Sequence, residues 1–538
     1  VVKTEYQQEV PDPNAQSLHD AIGNNNISVL ADDVDMDLEE EILNKYELGK
    51  SYQQALQTKL APPAKITPNL PPIVLDERKL YDQKRSLEER IKKFEERVQK
   101  DPWDTEAWSA MIIEAQTMHI DVARPIYERF LKLYPTAGRY WKYYAEHEMA
   151  CRNFNNVDNI FNKCLLKCLN IDLWRSYTNY IQSTKGTDMD DAASREQVVK
   201  AYEFSLEKMG GDLMSTPIWQ DYISFLKDWK PKTQYEEGQK ITALRKVYQR
   251  AVESPIVNVE DIWKEWDQYE NNLNSQLAKP LLAEQQPKYA NARTLYRERK
   301  RYYDGILRNM LAKPPSADNR EDHQVALWKR LVSFEKKKFD PQTAINRVSF
   351  TYNQALLCLY HYPELWYEYA MWHYEGGRPK DATAVFERAL EACPDSMILH
   401  FAYANVLELS KDFKAATDVY EKLLEKRNDP LIYVQFMRFA RRTEGIKAAR
   451  NIFRRGRNAP GCTFHLYVAS ALMEWQLNKE TTVARNIFEM GMTKYGTEAP
   501  FLQEYLKFLM DLNEENNIRA LFERAVTQIP LEKAREIW

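Results

Sequence analysis

The feature that most constrains the fold is a repeat of about 34 residues that begins near residue 83. Each unit carries a pattern of a small residue, often an arginine, an aliphatic residue and an aromatic, as in ARPIYER (123–129) and IRALFER (518–524). The aromatics of this pattern are Tyr127, Phe161, Tyr202, Tyr248, Tyr296, Tyr352, Phe386, Tyr420, Phe453, Phe488 and Phe522. Their successive gaps are 34, 41, 46, 48, 56, 34, 34, 33, 35 and 34 residues. A period of this length predicts stacked units that share one continuous core.

A second marker lies about 20 residues before each of these aromatics. It is an aromatic or leucine anchor with apolar residues three and six positions later and often a glutamate at seven, as in Trp141, Tyr144, His147 and Glu148. The anchors are Trp108, Trp141, Trp174, Trp219, Trp263, Trp328, Trp366, Phe401, Tyr433, Tyr467, Leu502 and Trp538. This spacing places the apolar residues on one face of a helix. We therefore predict two helices per unit, with the anchors and the marker aromatics as the core between them.

Prolines fall between units, at Pro135, Pro363, Pro394, Pro430, Pro460, Pro500 and Pro530. Only 15 of the 538 residues are glycine, which is few for a protein rich in β-turns. The sequence predicts an all-α fold, an α-solenoid of eleven to twelve helical hairpins in two arrays. Trp538 is the anchor of a twelfth unit, so we expect the natural protein to continue.

The composition divides the chain into three regions. Residues 1–82 are acidic and proline-rich and are predicted to be mostly disordered, with one amphipathic helix at 39–57. Residues 83–305 form the first array, with repeats one to five. The polar stretch LAKPPSADNREDHQ marks the boundary. Residues 306–538 form the second array, with repeats six to eleven and the start of the twelfth.

The sequence contains no complete enzymatic motif. The sequence GKS (49–51) has Asn44 where a P-loop needs glycine, and HEMAC (147–151) has Cys151 where a zinc protease needs histidine. Cys164 and Cys168 are four residues apart on a helix and are predicted to be buried thiols. The acidic run at 33–37 lacks the glycine and the glutamate of a calcium loop. We predict no catalytic, cofactor or metal site, and no apolar stretch reaches the ~20 residues of a membrane span.

The charge pattern raises the question of whether short basic runs contact RNA. With 75 basic and 79 acidic residues, the chain has no overall basic field. Basic runs occur at 297–301 (RERKR), 336–338 (KKK), 439–442 (FARR) and 454–457 (RRGR). A solvated helix face is the favoured interpretation. RNA contact requires clustering in space with exposed aromatics, which the sequence leaves open.

The paired aromatics with a trailing glutamate, followed by Arg-x-Ile-Phe-Glu-Arg, resemble the half-a-tetratricopeptide (HAT) repeat of RNA-processing proteins. The strings LNIDLWRSYTNYI (169–181), FARRTEGIKAARNIF (439–453) and DLNEENNIRALFERAV (511–526) go further. They resemble the suppressor of forked family, whose members are the large scaffold subunit of the cleavage stimulation factor. The resemblance covers about residues 85–538.

The resemblance implies a nuclear, non-catalytic scaffold of pre-mRNA 3'-end cleavage and polyadenylation. It implies a homodimer, which we place within residues 430–538. It also implies contacts with WD-repeat and RNA-recognition-motif subunits, assigned in the family largely to a proline-rich region after the repeats, and with other polyadenylation factors. RNA contact is then mainly indirect. The alternative is a HAT scaffold of the spliceosome or of ribosome biogenesis.

Overall fold

The computed structural model describes residues 76–186, 191–316, 319–338 and 341–528. These residues form 22 α-helices and no β-strand, so the predicted all-α solenoid is confirmed. The amphipathic helix predicted at 39–57, the GKS and acidic motifs, and the anchor Trp538 lie outside the described residues. The division into arrays at residues 305 and 306 stays a prediction.

One helix precedes eleven successive helical hairpins in the described residues. The first helix, α1, spans Glu77–Lys100. The hairpins of the first five units are α2 (Thr105–Ala115) with α3 (Ile120–Leu133), α4 (Gly138–Ala150) with α5 (Phe154–Cys164), α6 (Ile171–Lys185) with α7 (Ala192–Met209), α8 (Thr216–Asp228) with α9 (Gln234–Glu253), and the two halves of α10 (Val259–Tyr303).

Six hairpins follow residue 318. They are α11 (Asn319–Lys338) with α12 (Pro341–Cys358), α13 (Pro363–Glu375) with α14 (Pro379–Ala392), α15 (Met397–Leu409) with α16 (Phe413–Lys426), α17 (Pro430–Thr443) with α18 (Ile446–Arg457), α19 (Phe464–Leu472) with α20 (Thr481–Tyr495), and α21 (Ala499–Asp511) with α22 (Glu515–Gln528). A short π-helix, Met473–Leu477, continues α19. Among the described residues, no helix combines the length and apolarity that a bilayer-spanning segment requires.

The fifth unit is a hairpin although its two helices run together as α10. The ring centroids of Trp263 and Tyr289 are 4.6 Å apart, whereas 26 residues of straight helix would separate them by about 39 Å. The chain reverses at Asn274, whose backbone is extended (φ −161°, ψ 102°). The side-chain oxygen of Asn274 accepts hydrogen bonds from the backbone N–H groups of Gln276 (3.0 Å) and Leu277 (3.3 Å). Asn274 therefore caps the second helix of this unit.

Successive hairpins pack through repeated aromatic stacks. At several junctions the marker aromatic of one unit lies nearly parallel to the ring three positions after the next anchor, whereas Phe161 meets Tyr177 edge to face at 70°. Ring centroids are 5.0 Å apart for Tyr127 and Tyr144, 5.1 Å for Tyr420 and Phe436, and 4.7 Å for Phe488 and Tyr505. Offset stacking of this kind adds about 0.5–1.5 kcal/mol to the area buried. The two sequence markers therefore meet at the junctions between units.

An ion pair with a buried glutamate recurs beside these stacks. The arginine lies three residues before the marker aromatic, and the glutamate lies seven residues after the next anchor. Both carboxylate oxygens accept hydrogen bonds in the pairs Arg124–Glu148, Arg245–Glu270, Arg299–Glu335 and Arg450–Glu474, at 2.6–3.2 Å. All four glutamates are buried, each with 0–1% of its surface exposed. Each pair ties the second helix of one unit to the first helix of the next.

The ion pairs and stacks show that the sequence pattern assigned the marker aromatic of the fifth unit to the wrong residue. The sequence pattern assigned Tyr296 as its marker aromatic. In the structure Tyr302 takes that place, because Arg299, which pairs with Glu335, lies three residues before it, and its ring stacks at 4.3 Å on Phe334, six residues after the next anchor. Two long, polar helices in this unit offered several aromatics, and the sequence alone did not distinguish them.

The nonhelical residues before α11 are hydrogen-bonded to the earlier repeats. Asp212, in the turn before α8, is fully buried and accepts hydrogen bonds from the side chains of Arg308 and Gln354. Farther along, the Thr136 hydroxyl donates to the carbonyl oxygen of Leu357 at 2.8 Å. Repeats that are more than 200 residues apart in sequence are therefore in direct contact.

Candidate protein-interaction surface

Most of the predicted anchors are inside the stack and cannot form a surface. The buried ones are Trp108, Trp174, Trp219, Trp328, Trp366, Tyr127, Phe161, Tyr248, Phe386, Tyr420, Phe453 and Phe488. Trp141, Trp263 and Phe522 are only partly buried. Several anchors also fix the turn before their helix, since the indole N–H of Trp108, Trp141 and Trp366 donates to the carbonyl six residues earlier at 2.7–2.9 Å. A surface that binds partners must therefore use other residues.

The residue directly after each anchor distinguishes the two halves of the stack. In the first six units it is polar or charged: Ser109, Lys142, Arg175, Gln220, Lys264 and Lys329. In the next four units it is apolar: Tyr367, Ala402, Val434 and Val468. Val434 and Val468 are largely buried, at 8% and 9% exposed, and the accessible part of this face is formed by Tyr367, Ile398 and Leu431, at 39%, 69% and 47%. We call this set, from α13 to α19, the apolar first-helix face.

A groove opens on the apolar first-helix face between α17, α19 and α21. Its volume is about 810 Å³. Its apolar lining includes Leu431, Val434, Phe464, Val468 and Leu472. Its polar lining includes Gln435, Arg438, His465, Gln503 and Glu504. Protein–protein interfaces usually combine an apolar core with polar residues.

The sequence prediction missed this face because it counted only the positions that build the core. The signal was present one residue after each anchor. Once the anchors are aligned, Tyr367, Ala402, Val434 and Val468 depart from the polar residues at the same place in earlier units. The groove lies inside residues 430–538, the range predicted for dimerisation.

Two arginines of the basic runs in the last units are paired with carboxylates. The Arg442 guanidinium donates two hydrogen bonds to Glu408, each at 2.7 Å, and Arg455 donates two to Glu421 at 2.7 and 2.8 Å. Hydrogen bonds to Glu408 and Glu421 raise the pKa of both arginines. Each glutamate lies 34 residues before its arginine, which is one repeat period. These arginines therefore tie neighbouring units together.

The residues weighed for catalysis or metal binding have structural partners. The His147 ring nitrogen lies 3.0 Å from the carbonyl oxygen of Met118, and Glu148 is held by Arg124. Burial raises the pKa of the Cys164 thiol to about 12, and the Cys168 thiol donates to the Pro135 carbonyl. Within the described residues, no three His, Cys, Asp or Glu side chains are grouped as metal ligands would be.

Comparison with known protein families gives one extended match. The family model of the suppressor of forked protein (Suf) matches residues 89–538. This range contains all eleven described hairpins. The resemblance inferred from the sequence strings is confirmed.

Three curated relatives are similar over most of the chain. Cleavage stimulation factor subunit 77 of Arabidopsis thaliana is 43% identical over 441 residues, which are 81% of this chain and 60% of that protein. Protein suppressor of forked of Drosophila melanogaster is 36% identical over 505 residues, 84% of this chain and 66% of that protein. The mRNA 3'-end-processing protein rna14 of Schizosaccharomyces pombe is 28% identical over 502 residues, which are 85% of this chain and 68% of that protein. The chain thus spans about two thirds of these relatives' length or less.

A solved structure has the same fold. The crystal structure of CstF-77 superposes with a TM-score of 0.53 at 21% identity, covering 72% of this chain and 81% of that one. At this level of identity the match concerns the arrangement of helices. It agrees with the hairpin stack described above.

Proposed function

This chain belongs to the suppressor of forked family, and on that premise we propose that it is a non-catalytic scaffold of pre-mRNA 3'-end cleavage and polyadenylation in the nucleus. The observation that carries the proposal is the apolar first-helix face, which runs across four successive hairpins of a stack built from buried anchors. A stack of this kind presents a long surface at fixed spacing, which suits the assembly of several proteins.

The relatives support this reading over the alternative. They are named for cleavage stimulation and mRNA 3'-end processing, and spliceosomal or ribosome-biogenesis scaffolds are not favoured. We propose the WD-repeat and RNA-recognition-motif subunits of the cleavage stimulation factor, and other polyadenylation factors, as partners. Co-purification with the full-length natural protein tests this. Recovery of those subunits supports the proposal, and recovery of splicing or ribosome-assembly factors in their place contradicts it.

We further propose that the groove between α17, α19 and α21 lies within a homodimer interface. A stable interface buries about 1,200–2,000 Å² in total, and the exposed side chains of Ile398 and Leu431 with the partly buried Phe464 offer a surface that continues the groove. A two-fold dimer would use this face on both copies.

Light scattering after size exclusion tests the dimer. At about 10 μM, well above the Kd of a nanomolar interface, we expect twice the chain mass of 63.5 kDa. Leu431→Asp with Phe464→Asp places charges in the groove and should give a monomer. The control Tyr235→Asp changes a side chain that is 75% exposed on α9 and should leave the dimer intact. A monomeric wild type, or a dimer unaffected by the groove variant, contradicts the proposal.

A further inference from the structure

Two basic runs that are far apart in sequence lie side by side. The end of α10 carries RERKR (297–301), and the end of α11 carries KKK (336–338). The Lys338 ammonium is 2.6 Å from a Glu298 carboxylate oxygen, and the Arg330 guanidinium donates to the carbonyl of Arg301 at 3.4 Å. The packing of α10 against α11 therefore produces a cluster of cations that neither run contains alone.

An aromatic pair lies at the centre of this cluster. The rings of Tyr302 and Phe334 are stacked with centroids 4.3 Å apart and an angle of 23° between their planes. Both rings are only partly buried. The Arg330 guanidinium lies 5.5 Å from the Tyr302 ring centroid. Arg301 and Lys338, with Glu298, complete a cleft of about 630 Å³ around the two rings.

The charge of the cleft differs from that of the other basic runs. Arg301 and Arg330, which line the cleft, are exposed, as are Arg297 and Lys337 nearby on the same two helices. The one carboxylate that lines the cleft, Glu298, is engaged by Lys338. In the runs at 439–442 and 454–457, by contrast, Arg442 and Arg455 are held in two-bond pairs with carboxylates of the preceding unit. Arg299 is also set apart from the cluster, because it is buried against Glu335.

We propose that this cleft binds single-stranded RNA directly. The cations on α10 and α11 contact phosphates, and a base stacks on the exposed part of the Tyr302–Phe334 pair. Stacking platforms within a basic groove are the usual means of binding single strands without strict sequence preference. An acidic peptide would use the same charges, but it has no use for the aromatic pair. The proposal goes beyond the scaffold function, in which RNA is reached through partners.

The electrostatic part is tested by fluorescence anisotropy of the whole chain with a labelled oligouridine of about 12 nucleotides. The variant Arg301→Ala/Arg330→Ala/Lys337→Ala removes three cations. Each phosphate contact contributes about 0.7 to the slope of log K against log salt for a single strand, so the slope should decrease in magnitude by about 2 between roughly 50 and 200 mM salt. The control Lys422→Ala/Lys447→Ala/Arg454→Ala removes three exposed cations elsewhere and should leave the slope unchanged.

The stacking part is tested by Phe334→Leu, which keeps an apolar side chain at this position. We expect about tenfold weaker binding of oligouridine with an unchanged salt slope, because a stacked base is lost and no charge is removed. Thermal melting of each variant establishes that it is folded. Equal affinity of wild type and the triple variant overturns the proposal. So does competition by polyglutamate that is as tight as oligouridine and insensitive to Phe334→Leu, which would identify an acidic-peptide site.

Discussion

The buried arginine–glutamate pairs determine which residues can face each other between units. A carboxylate that is fully buried is costly unless a cation and its hydrogen bonds satisfy it. Because the pair uses one residue from each of two neighbouring hairpins, a slip of one helical turn would leave a buried charge alone. The aromatic stacks add contact between neighbouring units, and the ion pairs select the register.

Removing the cation of one pair should therefore be costly. For Arg124→Ala we expect the free energy of unfolding to fall by about 3 kcal/mol, since Glu148 remains buried. Urea denaturation measures it. Arg85→Ala, which removes a pair whose side chains are both about 70% exposed, is the control and should change little. A loss for Arg124→Ala as small as that of the control would show that the pair does not hold the register.

The anchors differ in depth, and their substitution should differ accordingly. Trp366 is 1% exposed, and Trp366→Ala should cost about 3–5 kcal/mol because it leaves a cavity. Trp141 is partly exposed, so Trp141→Ala should cost clearly less. Denaturation of the two variants under one set of conditions gives the comparison. Equal losses would mean that the partial exposure of Trp141 has no energetic consequence.

One junction replaces the glutamate by a histidine and should respond to pH. His373 lies seven residues after Trp366, and burial first, then the nearby Arg378, lowers the pKa of its ring. In the unfolded chain the ring takes up a proton near pH 6.5. Below that pH the unfolded state binds more protons than the folded state, so stability must fall as pH decreases toward the folded pKa.

The expected result is a melting temperature that declines between about pH 7.5 and 5.5. Burial also lowers the pKa of His147, His361 and His400, so their contributions have the same sign. The variant His373→Gln should show a shallower decline than wild type. His323→Gln, at an exposed position, should follow the wild-type curve. An identical decline in His373→Gln would exclude this residue as a source of the pH dependence.

At the scale of the helices, close packing depends on a glycine near the C-terminal end of α20. A Cβ atom at Gly491 would lie 2.5 Å from the Phe501 ring of the next helix. Gly491→Ala should destabilise the protein by about 1–3 kcal/mol, since the ring must move. Gly238 in α9 has no atom within 4 Å of the same position, so Gly238→Ala should stabilise by about 0.5–1 kcal/mol. Opposite signs in thermal melting support the argument, and two stabilised variants contradict it.

Helix positions were predictable wherever the period was regular. From Pro363 onward, each anchor together with the proline before it marks one hairpin of the structure. The fifth unit was less predictable, because its turn depends on one side chain, Asn274, within a polar helical stretch. No periodic pattern marks a cap of this kind. The register error between Tyr296 and Tyr302 has the same origin.

At the scale of the whole described array, the sequence predicted a stack of neighbours but not the contacts between distant units. A 34-residue period contains information about adjacent hairpins only. The bonds from Asp212 to side chains 96 and 142 residues later cross several units. The same limit explains why the RERKR and KKK runs were separate in the sequence and become one cluster in the structure. Surface clusters depend on packing, whereas the core markers recur in every unit.

These distant contacts predict how the array unfolds. An array held only by contacts between neighbouring units can unfold without full cooperativity, whereas contacts between distant units make those units unfold together. Asp212 provides such a contact, because its buried carboxylate accepts hydrogen bonds from Arg308 and Gln354. Burial acts to lower the pKa of Arg308, and the negative charge of Asp212 acts in the opposite direction. For Asp212→Ala we expect the calorimetric transition to split into two.

The control for this prediction is Asp221→Ala, which removes a partly exposed carboxylate that pairs only with Arg175 of the preceding hairpin. It should lower the transition temperature without splitting the transition, since the units on either side of residue 308 keep their connection. If Asp212→Ala gives a single transition shifted no more than that of the control, the distant contacts do not couple the repeats. If it splits, the contacts of Asp212 contribute to the coupling of the two groups of repeats, in addition to the Thr136–Leu357 hydrogen bond and the packing of α10 on α11 that the variant retains.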